Sequence, residues 1–209
     1  YTGTETNVVI PEGISTIGDG TKPVFEYGSD ITSVTIPSTA KVISDNAFNA
    51  ISNLAEVKFS DSENLEEIGS RAFWNIKVSS MNIPEGVKTI GDGALYTDSL
   101  ISVSLPSTLC LASDGLVWKI FAGGSLGTKL AAGLKNITVS PKNEFLSVKN
   151  GAVYDKNGET LLFCPPGMTG DYTVESGTKA IGSYAFNQSA LSRVVIPDSV
   201  TKLGNSSFV

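Results

Sequence analysis

Apolar positions recur along this chain in a fixed figure that is neither a helical stripe nor a simple alternation. Residues 31–48, ITSVTIPSTAKVISDNAF, show it best: Ile31, Val34 and Ile36, then Ala40 and Ile43, then Ala47 and Phe48, with mostly polar residues between. The V-x-I part alternates, which predicts a short strand with Val34 and Ile36 turned inward and Ser33 and Thr35 outward. Pro37 ends that strand, because it has no N–H for a further ladder bond. Where other copies carry Gly18, Gly69, Gly91, Gly182 or Gly204, the figure predicts a turn that needs positive φ or a close backbone approach. Ala47 and Phe48 are assigned to the interior, the alanine letting neighbouring units approach and the phenylalanine supplying bulk.

Seven further stretches lie over this template. With the template's own Ile36, the eight anchor residues, Ile10, Ile36, Phe59, Ile83, Leu105, Val139, Val174 and Ile196, are separated by 26, 23, 24, 22, 34, 35 and 22 residues. The short steps have the length of one solenoid coil, and such coils bury their apolar residues only against the coils beside them. The first copy carries the additional Thr21, Lys22 and Pro23; the third, LAEVKFSDSENLEEIGSRAF, has two additional residues in its first turn; the fourth has Leu95 in place of Phe. Beyond residue 109 the figure loosens. Residues 116–134 are apolar and glycine-rich, with a spacing that allows a short helix. Residues 145–166 read as a β meander, broken at Asn150-Gly151 and Asn157-Gly158, two strong turn dipeptides. The expected architecture is a β-rich α/β solenoid, a single unit over residues 1–209. Clear repeats cover 7–109 and 172–208, with an irregular insertion at 110–171. A parallel sheet lies on one face, short turns or helical corners on the other, with an inserted β-hairpin or meander.

The segments IPEGVKTIGDGAL, IPEGISTIG, IPDSVTKLG and AIGSYAF resemble the BspA-type leucine-rich repeat of bacterial surface proteins, whose unit reads roughly L-x-x-I-x-I-P-x-x-V-x-x-I-G-x-x-A-F. The opening YTGTETNVVIPEG is similar to a common first segment of such arrays, and the meander to their longer hairpin-bearing coils. A Cys that often follows the Ala-Phe pair is missing here. The resemblance implies a leucine-rich-repeat fold and an extracellular or bacterial cell-surface location. It also implies a non-enzymatic role, most often proposed to be adhesion to host or neighbouring-cell proteins.

Composition and charge narrow the chemistry. A net charge of −6 and a pI near 4.7 argue against a nucleic-acid partner, whose binding rests on Lys and Arg neutralising phosphates. No segment approaches the roughly 20 apolar residues of a membrane span, so no direct membrane insertion is expected of this segment. A start at Tyr1 suggests a trimmed form. A stop at Val209, directly after the last Phe position, suggests an open coil face whose edge strands permit end-to-end self-association. Histidine is absent, which removes the usual proton carrier near neutral pH and the commonest neutral metal ligand. Cys110 and Cys164 are too few for a zinc cage; the sequence leaves their pairing open, with two unpaired, buried thiols the plainer reading. Neither Ser-x-x-Lys nor Gly-x-Ser-x-Gly occurs, and nothing in the pattern pairs two acids in a cleft. Gly-Asp-Gly at 18–20 and 91–93, and the acids Asp61, Glu63, Glu66 and Glu67, lack the spaced oxygens of a calcium loop. They read as a repeated turn and a solvated loop. No enzyme activity, no cofactor and no metal are expected.

A surface remains. The outward strand positions form two columns: Asn7, Ser33, Glu56, Ser80, Ser102, Asn136, Asp171 and Arg193, beside Val9, Thr35, Lys58, Asn82, Ser104, Thr138, Thr173 and Val195. Solenoids often use such a broad face for partners. The candidate partner-binding residues are Ser33, Thr35, Glu56, Lys58, Ser80, Asn82, Ser102 and Ser104, with Trp74 near the Ala-Phe corner as an aromatic anchor if it projects outward; partial packing on the neighbouring coil is the favoured alternative for it. Yet the columns hold no aromatic residue and one Arg, where binding hot spots favour Trp, Tyr and Arg. A solvated sheet face and a partner site both fit. The expected partner is an extracellular protein or a surface glycan; the alternative is a structural spacer within a longer array.

Overall fold

The structure, a computed structural model, describes residues 5–25, 29–61, 63–110, 117–123 and 129–209. Each early coil contributes one longer and one very short strand. Coil one holds β1 (Asn7–Val9) and β2 (Thr16–Ile17), and coil two β3 (Ser33–Ile36) and β4 (Val42–Ile43). Coil three holds β5 (Glu56–Phe59) and β6 (Glu67–Ile68), and coil four β7 (Ser80–Asn82) and β8 (Thr89–Ile90). Then follow β9 (Ser102–Leu105), a 3-10 turn over Val117–Phe121, β10 (Ala122–Gly123), β11 (Lys129–Leu130) and β12 (Asn136–Val139). The remaining strands are β13 (Leu146–Lys149), β14 (Ala152–Asp155), β15 (Thr160–Phe163), β16 (Gly170–Thr173), β17 (Ala180–Ile181), β18 (Leu191–Val195) and β19 (Lys202–Leu203).

Alternation along the longer strands follows the sequence pattern. Val34 and Ile36 are fully buried, while Ser33 and Thr35 face outward and stay half-buried. Successive coils pair in parallel and in register: Asn7 with Ser33 and Ser33 with Glu56, then Ser80 with Ser102 and Ser102 with Asn136. A second parallel ladder runs β2-β4-β6-β8 on an adjoining face. It arises because the short V-x-x-I portion of each coil also lies flat against the next.

The third face corrects one expectation. No α-helix occurs among the described residues, so the helical corners and the α/β label do not hold; the chain is a β-solenoid. The corner residues Asn46 and Ala50, Arg71 and Asn75, Tyr184 and Gln188 are left-handed, with φ between 54° and 60°. Two left-handed residues four apart prevent a right-handed helical turn. The corner instead hands alternate N–H groups to the next coil. Asn46, Phe48 and Ala50 donate to the carbonyls of Ser70, Ala72 and Trp74 at 2.9, 2.7 and 2.8 Å, and Arg71, Phe73 and Asn75 repeat this one coil on. The short helix expected in 116–134 is the single 3-10 turn Val117–Phe121; residues 116 and 124–128 of that segment lie outside the described residues.

Phenylalanines stack along the interior. Phe48 and Phe73 lie 5.3 Å apart and almost parallel, as do Phe121 and Phe163 at 5.5 Å and Phe186 and Phe208 at 5.0 Å. Of the five glycines at the turn position, Gly18 has positive φ (88°), while Gly69, Gly91 and Gly204 permit close approach. A Cβ on Gly69 would sit 2.4 Å from the Asp45 nitrogen of the preceding coil. In the meander, β13, β14 and β15 are antiparallel, turning at Asn150-Gly151 with φ of 49° and 81°. Its last strand is not a free-standing insertion: β15 pairs in parallel with β17, and β17 with β19, continuing the ladder of the coils.

The strand face is not one continuous sheet. It falls into three pieces, β1-β3-β5, β7-β9-β12 and β16-β18. Between β5 and β7 the ladder opens although the two coils stay joined elsewhere. The Lys77 N–H still reaches the Leu54 carbonyl at 2.8 Å, β6 still pairs with β8, and the corner bonds are intact. Most Cα pairs between β5 and β7 exceed 8 Å, against about 4.7–4.9 Å between paired strands. Two departures of the third copy coincide with the opening: its enlarged turn, and Phe59 in place of the aliphatic Ile36. The Phe59 ring meets Phe73 edge-on at 6.5 Å.

Two outcomes are expected. Phe73→Ala, at a buried ring stacked between coils, should destabilise the fold by about 3–5 kcal/mol in chemical denaturation, and Phe208→Ala, at a half-exposed ring, by much less. In NMR hydrogen exchange, the β5 amides should alternate: Glu56 and Lys58, which face β3, slow, and Val57 and Phe59, which face the opening, fast. Uniform protection along β5 would show the ladder closed in solution.

Candidate binding surface

The pairing register brings eight of the candidate residues onto one face. Ser33 and Thr35 on β3 lie beside Glu56 and Lys58 on β5; Ser80 and Asn82 on β7 lie beside Ser102 and Ser104 on β9. All eight are exposed or half-buried. The groups that hold them are local. The Ser33 hydroxyl donates to the Asn7 side-chain oxygen at 2.7 Å, and Lys58 pairs with Glu56 at 3.0 Å along the same strand. Both partners of that ion pair are more than half exposed, so it adds little stability. It leaves the face close to neutral at its centre.

The opening between β5 and β7 falls in the middle of these columns. It holds a cavity of about 640 Å3 lined by Ala55–Phe59 of one coil and Ser80, Met81 and Asn82 of the next. Glu56, Lys58, Ser80 and Asn82 form its exposed rims. Val57 and Phe59 stay partly exposed inside it, whereas their counterparts Val34 and Ile36 are sealed by a neighbouring strand. Sequence reasoning placed the rim residues in the columns and missed the opening itself. The replacement of Ile-Pro by Phe59-Ser60, together with the enlarged turn after it, was the available signal.

Trp74 lies on the corner face, away from these columns. Its indole packs 4.7 Å from the Tyr96 ring of the next coil, and the Arg71 guanidinium stands 5.0 Å over it. Trp118 packs in the same way on Tyr184, at 4.6 Å, tying the irregular segment to coil seven. The first Gly-Asp-Gly turn is internally satisfied. Asp19 Oδ1 accepts from the Thr21 N–H at 2.8 Å and the Thr21 hydroxyl at 2.7 Å, bonds that hold its carboxyl below the usual range. Glu66 of the acidic run pairs with Lys88 at 2.8 Å.

Several of the reactive side chains sit inside the structure. Cys164 is buried and unpaired, and burial pushes its thiol up to about 12, so it stays protonated at neutral pH. Cys110 is exposed, which corrects the expectation that both thiols are buried: it ends the fifth repeat at the surface, where its N–H bonds the Lys88 carbonyl at 3.0 Å. The Tyr154 and Tyr172 hydroxyls meet at 3.1 Å, and burial raises both phenols above their ordinary range. Such groups brace an interior and are poor acids or nucleophiles at neutral pH.

Comparison with known proteins agrees with this geometry. Six copies of the BspA type leucine rich repeat region match residues 21–116 and 168–209, more than half of the chain. A leucine-rich repeat protein from Eubacterium ventriosum is 26% identical with a TM-score of 0.76, over 97% of this chain and 50% of that one. The pneumococcal vaccine antigen PcpA is 21% identical with a TM-score of 0.66, over 98% of this chain and 58% of that one. The T. pallidum leucine-rich repeat protein is 20% identical with a TM-score of 0.53, over 98% and 75%. The chain therefore spans half, or little more than half, of the first two structures. No curated protein matches the chain. With the repeat matched and the coils stacked in register, the chain belongs to the BspA-type leucine-rich repeat family.

Proposed function

We propose that this chain is a non-enzymatic, single-solenoid binding module of a bacterial surface protein, and that an extracellular protein or surface glycan docks on its strand face. The observation that carries this reading is the register that sets Ser33 and Thr35 beside Glu56 and Lys58, and Ser80 and Asn82 beside Ser102 and Ser104, as two exposed patches flanking the opening. These residues have no structural duty in the core, and their polar side chains stay open to contact. The burial of Cys164, Tyr154 and Tyr172 supports a scaffold rather than a reaction centre. Location outside the cell rests on the family resemblance and on PcpA being described as a vaccine antigen.

A second reading, a spacer within a longer array, is favoured by the nearest-neighbour packing, which lets coils be added without disturbing those already present. An array of extracellular-matrix proteins and bacterial and host glycans separates the two. Binding above background is expected for the wild type. It should weaken at least tenfold, about 1.4 kcal/mol, in the double variant Thr35→Arg with Ser104→Arg, which crowds the face without touching the core. Background binding throughout, or equal binding by both proteins, would overturn the docking proposal.

A further inference from the structure

We infer that the opening between β5 and β7 is a strand-acceptor slot that takes an extended peptide segment of a protein partner. The inference rests on the binding-module reading above and gives it a mode. Its argument starts from where the main-chain groups point. In a strand, alternate residues present N–H and C=O to opposite neighbours. On β5, Glu56 and Ser60 donate to the Thr32 and Ile36 carbonyls of coil two at 3.1 and 3.0 Å, so Val57 and Phe59 present theirs to the opening. On β7, Ile83 donates to the Ser104 carbonyl at 3.0 Å and the Ser79 carbonyl accepts from Ser102 at 3.2 Å, so Ser80 and Asn82 present theirs to the opening from the other side. Among the described residues, no protein hydrogen bond takes up these four sets of groups.

Two unpaired edges therefore face one another, parallel in direction, across a gap wider than one strand spacing. A single extended chain, about 4.7–4.9 Å from each edge, satisfies both at once. A sheet edge that pairs a foreign strand is a known recognition mode, and here the incoming strand would be paired on both sides. The cavity of about 640 Å3 is bounded at one end by the Lys77–Leu54 bond and at the other by the close approach of Gly86 to the Glu63 carbonyl. The facing edges, Glu56–Phe59 and Ser80–Asn82, are four and three residues long, which suits a guest strand of about four residues at roughly 3.3 Å each. The floor of Val57, Phe59 and Met81 calls for aliphatic side chains at alternate positions of the guest. The rim of Glu56, Lys58, Ser80 and Asn82 calls for small polar ones between them. A compact folded epitope or a sugar ring offers neither the alternating N–H and C=O groups nor that side-chain rhythm.

The test pans a displayed library of seven-residue peptides, alternating small polar and aliphatic residues, against the whole chain, and titrates the selected synthetic peptides. Asn82→Pro is the decisive variant. It removes a donor that faces the slot, while the β9 ladder uses Ser79, Met81 and Ile83 and is left whole. Selected peptides should bind the wild type and lose at least tenfold in affinity for Asn82→Pro. Peptides N-methylated at a central residue should lose binding to the wild type to a similar degree, a measurement that stands even if the proline variant fails to fold. On binding, the Val57 and Phe59 amides should become protected from exchange. No enrichment of peptides, or selected peptides indifferent to both Asn82→Pro and N-methylation, would overturn the slot. A matrix protein or glycan that binds wild type and Asn82→Pro alike but not the arginine variant would overturn it too, while leaving the docking face standing.

Discussion

The structure depends on one constraint: no coil can close its own interior. A coil of some two dozen residues is a ring with two open sides, and only the coils above and below cover Phe48 or Ile43. Closure is achieved by main-chain bonds from coil to coil on three faces and by phenylalanines stacked ring on ring inside. The spacing of those faces is set by residues without side chains at the points of closest approach. Gly69, Gly91 and Gly204 each lie where an added Cβ would meet the backbone of the preceding coil within 2.4 Å. Stability is accordingly local, passed from neighbour to neighbour rather than gathered in one centre.

Local stability explains why the strand face can open without the solenoid coming apart. Between coils three and four, the second ladder and the corner bonds carry the connection, so the longer strands are free to separate. Main-chain groups left unpaired in a dry interior cost roughly 1–3 kcal/mol each. The opening avoids much of that cost by standing open to solvent, where water satisfies them. The same exposure leaves Val57 and Phe59 partly uncovered. Polar rims over an incompletely covered apolar floor form a more specific surface than the flat columns on either side.

The distribution of chemical groups fits recognition better than reaction. Cys164, Tyr154 and Tyr172, whose acidity burial suppresses, lie in the second core cluster, around the meander and coil seven. The exposed face carries hydroxyls, amides and one ion pair, groups suited to hydrogen bonding a partner. The aromatic residues that might have served as anchors are used for packing instead: Trp74 covers Tyr96, and Trp118 covers Tyr184.

The sequence alone determined the period, the coil and the inward and outward sides of each longer strand, because a strict repeat leaves one way to bury Val34, Ile36, Ala47 and Phe48 in every copy. It also determined the two columns of candidate residues, since side chains alternate whatever the neighbouring coil does. What it did not determine was the left-handed corner, where Asn46, Arg71 and Tyr184 adopt a conformation that their identities permit but do not demand. Nor did it reveal that β15 enters the ladder of the coils, or that β5 and β7 part. Pairing between strands is decided by how two whole coils sit on each other. The bulk of Phe59 and a turn enlarged by two residues act there only through the third dimension.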